Sequence, residues 1–221
     1  MSVRKLRYEE MRVGELAAAR DEAPLAYVPI GSLEYHGWHL PVGFDALHAH
    51  ALCLAAAEQT GGVVLPPTFW GTEGHVAFPG SLLVSPDTLA ALVRDILTRL
   101  TEREYRLIVL CTGHYPEVQG RLLERVAAEH EAHDPGVRVM VLDPFTVHPT
   151  DPHAEHAGIV ETSVMLHLRP ELVDMTLLDQ PGALEAITPD AADATAEYGR
   201  ERFETIVGEM VRTVKEALSH A

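Results

Sequence analysis

Four short apolar runs, at 25–30 (LAYVPI), 63–65 (VVL), 107–111 (LIVLC) and 137–142 (VRVMVL), constrain this chain more than any other feature. They are continuous rather than alternating, as strands covered on both faces of a parallel sheet must be. The segments between them carry a helical period. Residues 45–60 end at Gly61 and Gly62, and 86–104 begins behind Ser85 as N-cap with Pro86 in the first helical position. Residues 117–133 close before Pro135 and Gly136. A last helix near 191–219 sets Phe203, Ile206, Val207, Met210, Val211, Val214 and Leu218 at three- and four-residue steps. Strands alternating with helices predict an α/β fold, a parallel sheet wrapped by helices on both faces. At 221 residues, with no repeat and no linker-like stretch, the chain reads as a single domain over 1–221. A domain of this size buries roughly 70% of its unfolded surface, so a metal is not needed to hold the core and any metal present is functional.

Charge narrows the partners. Lys and Arg total 17 against 33 Asp and Glu, a formal charge of −16, and the cations are scattered among carboxylates. Nucleic acid, which is bound by clustered cations, is therefore not an expected partner, and neither is an anionic membrane surface. No apolar run reaches the ~20 residues of a membrane span, and MSVRKLRYEEMR lacks the apolar stretch of a signal peptide. A cytoplasmic location is expected. Cys53 and Cys111 fit it as two buried thiols rather than a bridge.

The 13 histidines are the compositional anomaly, and they are placed rather than spread. The first run leads straight into Gly31-Ser32-Leu33-Glu34-Tyr35-His36, with Asp45 opening the next helix. Glu34 and His36 are two apart, so an extended segment projects both from one face. The third run delivers Thr112-Gly113-His114-Tyr115, and the fourth is followed by His148, His153, His156 and Glu161. In open α/β sheets ligands sit beyond the carboxyl ends of the strands, so these residues share one edge. Imidazole with carboxylate suits Zn²⁺, Mn²⁺ or Fe²⁺, and a bridging carboxylate suits two ions. Two ions about 3.5–4 Å apart lower the pKa of a shared water and polarise a carbonyl, which points to metal-assisted hydrolysis. Two long irregular stretches, 66–84 and 143–155, are rich in Pro and Gly and carry His, as binding loops do.

The pattern Gly-Ser-x-Glu-x-His-Gly-x-His-Leu-Pro-x-Gly-x-Asp at 31–45 resembles the signature of the creatininase (creatinine amidohydrolase) family. The resemblance continues through Phe78-Pro79-Gly80-Ser81, Gly113-His114-Tyr115 and His156-Ala157-Gly158-Ile159-Val160-Glu161-Thr162-Ser163. It implies a three-layer α/β/α sandwich with a mostly parallel central sheet, two divalent metal ions per chain, Zn or Mn and less often Fe, and a hexameric homo-oligomer. The implied reaction is hydrolysis of a non-peptide amide C–N bond in a small molecule, which can be cyclic. By resemblance Glu34 binds the first metal, His36 the second, Asp45 bridges them and His114 completes the first site. His156 matches the catalytic histidine that protonates the leaving nitrogen. Glu161 ligates metal or orients the attacking water, and Thr72 and Tyr115 fall at substrate contacts.

Two departures matter. Pro116 stands where creatininase has a metal-binding Glu, so the second metal takes either Glu117, through a shifted loop, or Glu161, whose motif matches without a shift. Residues 151–155 lack the tryptophan that closes over creatinine, so the resemblance reaches the chemistry and not that substrate. A formamide or a short peptide is the alternative substrate within the family, and a non-catalytic metal- or ligand-binding protein is the alternative outside it. His39 is expected to orient a ligand or line the pocket, and His48 and His50 to be surface or hydrogen-bonded residues. Glu73 and His75 read equally as substrate contacts and as plain loop residues. Trp38 and Trp70 read either as an apolar wall for a ring or as contacts between protomers.

Overall fold

In the computed structural model, residues 5–144 and 156–219 are described. Strands β1 (Leu25–Ile30), β2 (Val63–Val64), β3 (Leu107–Thr112) and β4 (Arg138–Leu142) form one parallel sheet in the order β2-β1-β3-β4. β1 pairs with β3 over its whole length, Leu25 opposite Leu107 through Ile30 opposite Thr112. Both are fully buried, which explains the unbroken apolar runs. The expected strands are thus present, β2 and β4 each one residue shorter than its run and β3 one residue longer.

Among the described residues six α-helices surround the sheet: α1 (Val13–Glu22), α2 (Phe44–Thr60), α3 (Pro86–Glu102), α4 (Glu117–His133), α5 (Ile159–Leu168) and α6 (Ala196–Leu218). Alternate strand residues point to opposite faces and make two cores. Leu25, Tyr27, Leu107 and Val109 pack on Leu52, Cys53 and Ala56 of α2 and on Val207, Met210 and Val214 of α6. Ala26, Val28, Ile108 and Leu110 pack on Leu89, Val93 and Leu97 of α3 and on Leu123 and Val126 of α4. The result is the expected three-layer sandwich. Ser85 caps α3 as expected, its side chain accepting from Thr88 N–H. The last helix starts later than its periodicity suggested, because residues Pro189–Asp193 form a 3-10 turn and Thr195 takes the cap. Cys53 and Cys111 are free and buried. Among the described residues no helix is long and apolar enough to cross a membrane.

His48 departs from expectation. It is neither on the surface nor hydrogen-bonded: it is buried on α2, and neither ring nitrogen has a partner among the described residues. Burial holds its pKa down at about 4, against 6.5 in an open chain. The unfolded chain therefore binds a proton that the native chain refuses, so this contribution to stability is present above 6.5 and lost as pH falls towards 4. His48→Leu should raise stability at pH 7 by about 1–3 kcal/mol, the cost of an unpaired buried polar group. It should also flatten the acid side of the stability profile. Denaturant titrations at pH 7 and pH 5 check both, and a loss of stability at pH 7 would mean that the ring is paired.

Candidate metal centre

The chain leaves β1 towards β2 on one side and returns to β3 on the other, so the carboxyl ends of β1 and β3 flank the crevice where open sheets place ligands. The first turn of α2 enters this crevice because two glycines allow it. A Cβ on Gly31 would stand 2.1 Å from the Ala46 nitrogen, and one on Gly113 would stand 2.1 Å from the Asp45 carbonyl. Asp45 is thereby set between the residues that follow both strands. Ser32 Oγ donates to its Oδ2 at 2.6 Å. Residues 31–36 after β1 carry no regular secondary structure, and a turn follows at 37–39.

Two imidazoles organise the donors. Nδ1 of His114 lies 2.9 Å from Glu34 Oε2 and 3.0 Å from Asp45 Oδ2, while its Nε2–H donates to the Thr72 and Glu73 carbonyls at 3.1 Å each. Nε2 of His36 lies 3.0 Å from Asp45 Oδ1 and 3.8 Å from Glu161 Oε2, while its Nδ1–H donates to the Glu34 carbonyl at 3.1 Å. A carbonyl and a carboxylate only accept, so in the metal-free chain the far nitrogen of each ring donates to a backbone carbonyl and the near one donates to the carboxylates. Replacing the near proton would turn that nitrogen's lone pair to an ion. Metal-ligating histidines are held in this way. Glu34, Asp45 and His114 form one group of potential ligand atoms within 4.8 Å of one another, and Glu34, His36 and His156 form another.

The charges call for cations. Glu34, Asp45 and Glu161 are all buried, 2–4% exposed. Burial opposes ionisation of Glu34, yet the His114 hydrogen bond and charge outweigh it and hold the carboxyl at about 2. Asp45 is likewise held well below the usual carboxylate range, burial being outweighed by His36 and His114. Conversely, burial is overcome at His36 by Asp45, raising the ring to about 9, and at His114 by Asp45 and Glu34, raising it to about 10. Without metal, protons on these two rings balance the carboxylates. Divalent ions in the same places would do so with more charge, and the donor set fits them.

The cleft is lined by Glu34, His36, Asp45, Gly74, His75, His114, Tyr115, Pro116, His156 and Glu161, and encloses about 180 Å³. His156 stacks obliquely on His36, with ring centroids 4.5 Å apart, and its Nε2–H donates to the Tyr35 carbonyl at 2.7 Å. Burial and the nearby charge of His36 push its pKa down to about 4, so the ring is neutral near pH 7. Glu161, in the first turn of α5, accepts the Ala157 N–H at 2.7 Å. Burial keeps the Tyr115 hydroxyl far above its usual pKa and protonated.

Not every expected residue is in this cleft. Thr72 is fully buried behind His114 and does not line it; its carbonyl rather than its side chain serves the site. Glu117 opens α4 with its side chain 76% exposed and paired with Arg121, so Glu161 is the carboxylate brought to His36. Trp38 and Trp70 are exposed and outside the lining. His39 bonds Thr162 Oγ1 at 2.9 Å and so ties the loop after β1 to the residue beside Glu161. His148 and His153 lie outside the described residues. His75, left open from the sequence, is in the cleft wall.

The creatininase family profile, described as creatinine amidohydrolase, matches residues 9–214. This chain belongs to the creatininase family. Creatinine amidohydrolase of Pseudomonas putida is 33% identical over 201 residues, covering 77% of each chain. Mycofactocin precursor peptide peptidase of Mycolicibacterium smegmatis is 31% identical over 175 residues, 75% of this chain and 67% of the relative. Two solved creatininase structures, a Zn–Zn form and a Mn form, superpose with a TM-score of 0.83 each at 26% and 25% identity, covering 97% of this chain and 99% of theirs. The creatininase architecture thus extends over nearly the whole chain.

Proposed function

We propose that this creatininase-family hydrolase is a binuclear metal-dependent amidohydrolase acting on an amide C–N bond of a small molecule. The observation that carries the reading is Asp45, whose two oxygens each stand 3.0 Å from a different imidazole, each ring braced from behind by a backbone carbonyl. Glu34, Asp45 and His114 would hold one ion, and His36, Asp45 and Glu161 the other; Zn or Mn is supported by the forms of the related creatininases. Bound there, the pair supplies Lewis acidity for the amide carbonyl and makes hydroxide available near neutral pH.

The chain's own residues do the rest. Tyr115 offers a protonated hydroxyl at the cleft, and Glu161 is fixed by the Ala157 N–H, so that its carboxylate can orient the attacking water. His156 starts neutral with Nε2–H on the Tyr35 carbonyl, leaving Nδ1 to take up a proton and deliver it to the departing nitrogen. Water and amide thus become carboxylic acid and amine. A cleft of about 180 Å³ favours a compact reacting group, a small amide or the end of a short peptide. Exposed Trp38, Trp70, Val76 and Leu82 on the two loops beside the site support a homo-oligomer.

The reading is tested with Zn- and Mn-loaded protein on a panel of cyclic amides, formamides and short peptides. Catalytic ring opening of a cyclic amide, release of formate or release of a dipeptide identifies the substrate type. Two tightly held ions with no turnover on any class would favour the non-catalytic binding protein.

Metal binding should also depend on pH with a definite sign. In the metal-free chain the folded pKa values of His36 and His114, about 9 and 10, lie above the open-chain 6.5. Their contribution to stability is complete below 6.5 and lost as pH rises through 9 to 10. Ions displace those protons, so binding tightens as pH rises. Melting temperatures of metal-free and loaded protein should therefore diverge between pH 6.5 and 8.5. An equal gap at both values would mean that the ions bind away from these rings.

A further inference from the structure

Glu34 is the one residue shared by the two groups of potential ligands, so something must decide how its two oxygens are used. The loop between β2 and α3 presses on it. Glu73 and Gly74 both adopt positive φ, 63° and 101°, and a Cβ on Gly74 would come 2.3 Å from Glu34 Oε1. That close approach brings two donors of the next residue onto one oxygen: the His75 backbone N–H at 2.7 Å and its Nδ1 at 2.8 Å. A carboxylate oxygen only accepts, so Nδ1 carries the hydrogen, and the two N–H groups occupy both lone pairs of Oε1. Oε2 is left facing His114 Nδ1 at 2.9 Å. The His75 ring is itself held, stacked on His156 at 4.0 Å and edge-on to Phe78 at 5.7 Å.

We infer that His75 is a positioning residue: by clamping Oε1 it makes Glu34 a terminal ligand through Oε2 and leaves Asp45 as the sole bridging carboxylate. This rests on the binuclear reading above. H75N keeps a donor near the Nδ1 position and loses the ring, whereas H75F keeps the ring stacking and loses the donor. Zn²⁺ titration of metal-free protein against a chromophoric chelator, with metal-free melting temperatures as the folding control, separates the two. H75F should weaken one of the two Zn²⁺ equivalents by roughly 10–100-fold, while H75N stays within about threefold of wild type. H75L, also without a donor, takes the place of H75F if H75F does not fold. Folded H75F or H75L with wild-type affinity would overturn the inference alone, as would H75N as weak as H75F. A wild-type chain that takes up no Zn²⁺ would overturn the binuclear reading with it.

Discussion

Asp45→Ala should empty both metal positions at once and bring turnover below detection. Asp45 is 2% exposed, and its Oδ1 and Oδ2 each answer a different imidazole. No other residue of the site serves both rings in this way. Removing it leaves His36 and His114 with Glu161 and Glu34 alone, too few donors for two closed sites. Metal analysis and an activity assay on the folded variant check this. An Asp45→Ala protein that keeps two ions would show that the bridge lies elsewhere.

His156→Ala should keep both ions and lose roughly 10²–10⁴ in turnover, the usual worth of a positioned proton-transfer group. The tie of Nε2–H to the Tyr35 carbonyl and the low pKa make His156 a neutral carrier whose Nδ1 is free for a proton. His156 also stands with Glu34 and His36 as a potential ligand set. Metal content therefore distinguishes the two roles. Full metal with slow turnover assigns proton transfer, whereas loss of one ion would make His156 a ligand, and unchanged turnover would remove it from the reaction.

Much of the fold was legible because each strand is covered on both faces and writes a continuous apolar run. Two helices were not. α1 has no fully buried residue, so it carries no apolar stripe. α5 is the opposite case: apart from Glu161, Thr162, Ser163 and His167 its ten residues are apolar and most of the helix is buried, and Gly158 before it gives no side-chain cap. The site's core was legible for a topological reason, since Glu34, His36, Asp45 and His114 follow β1 and β3 or begin the helix between them. What sequence could not resolve depends on local backbone. Whether Glu117 or Glu161 reaches His36 turns on α4 starting at Glu117, which sends that side chain to Arg121 one turn on. His75 depends on the positive-φ turn at Glu73 and Gly74, and Thr72 on a loop that shows the site its carbonyl rather than its hydroxyl. His48 is buried beside Phe44 of its own helix and is left without a partner among the described residues, which the sequence around it does not reveal.

Buried Glu34, Asp45 and Glu161, with His36 and His114, are proposed to hold a pair of divalent ions. Metal content per chain, measured by plasma mass spectrometry on protein purified without a His tag, tests this most directly. The arrangement predicts about two equivalents of Zn or Mn per chain. Less than about 0.2 equivalents, still unfilled after reconstitution at pH 8 with excess metal, would contradict it, since raising the pH weakens the competition of protons for the imidazoles.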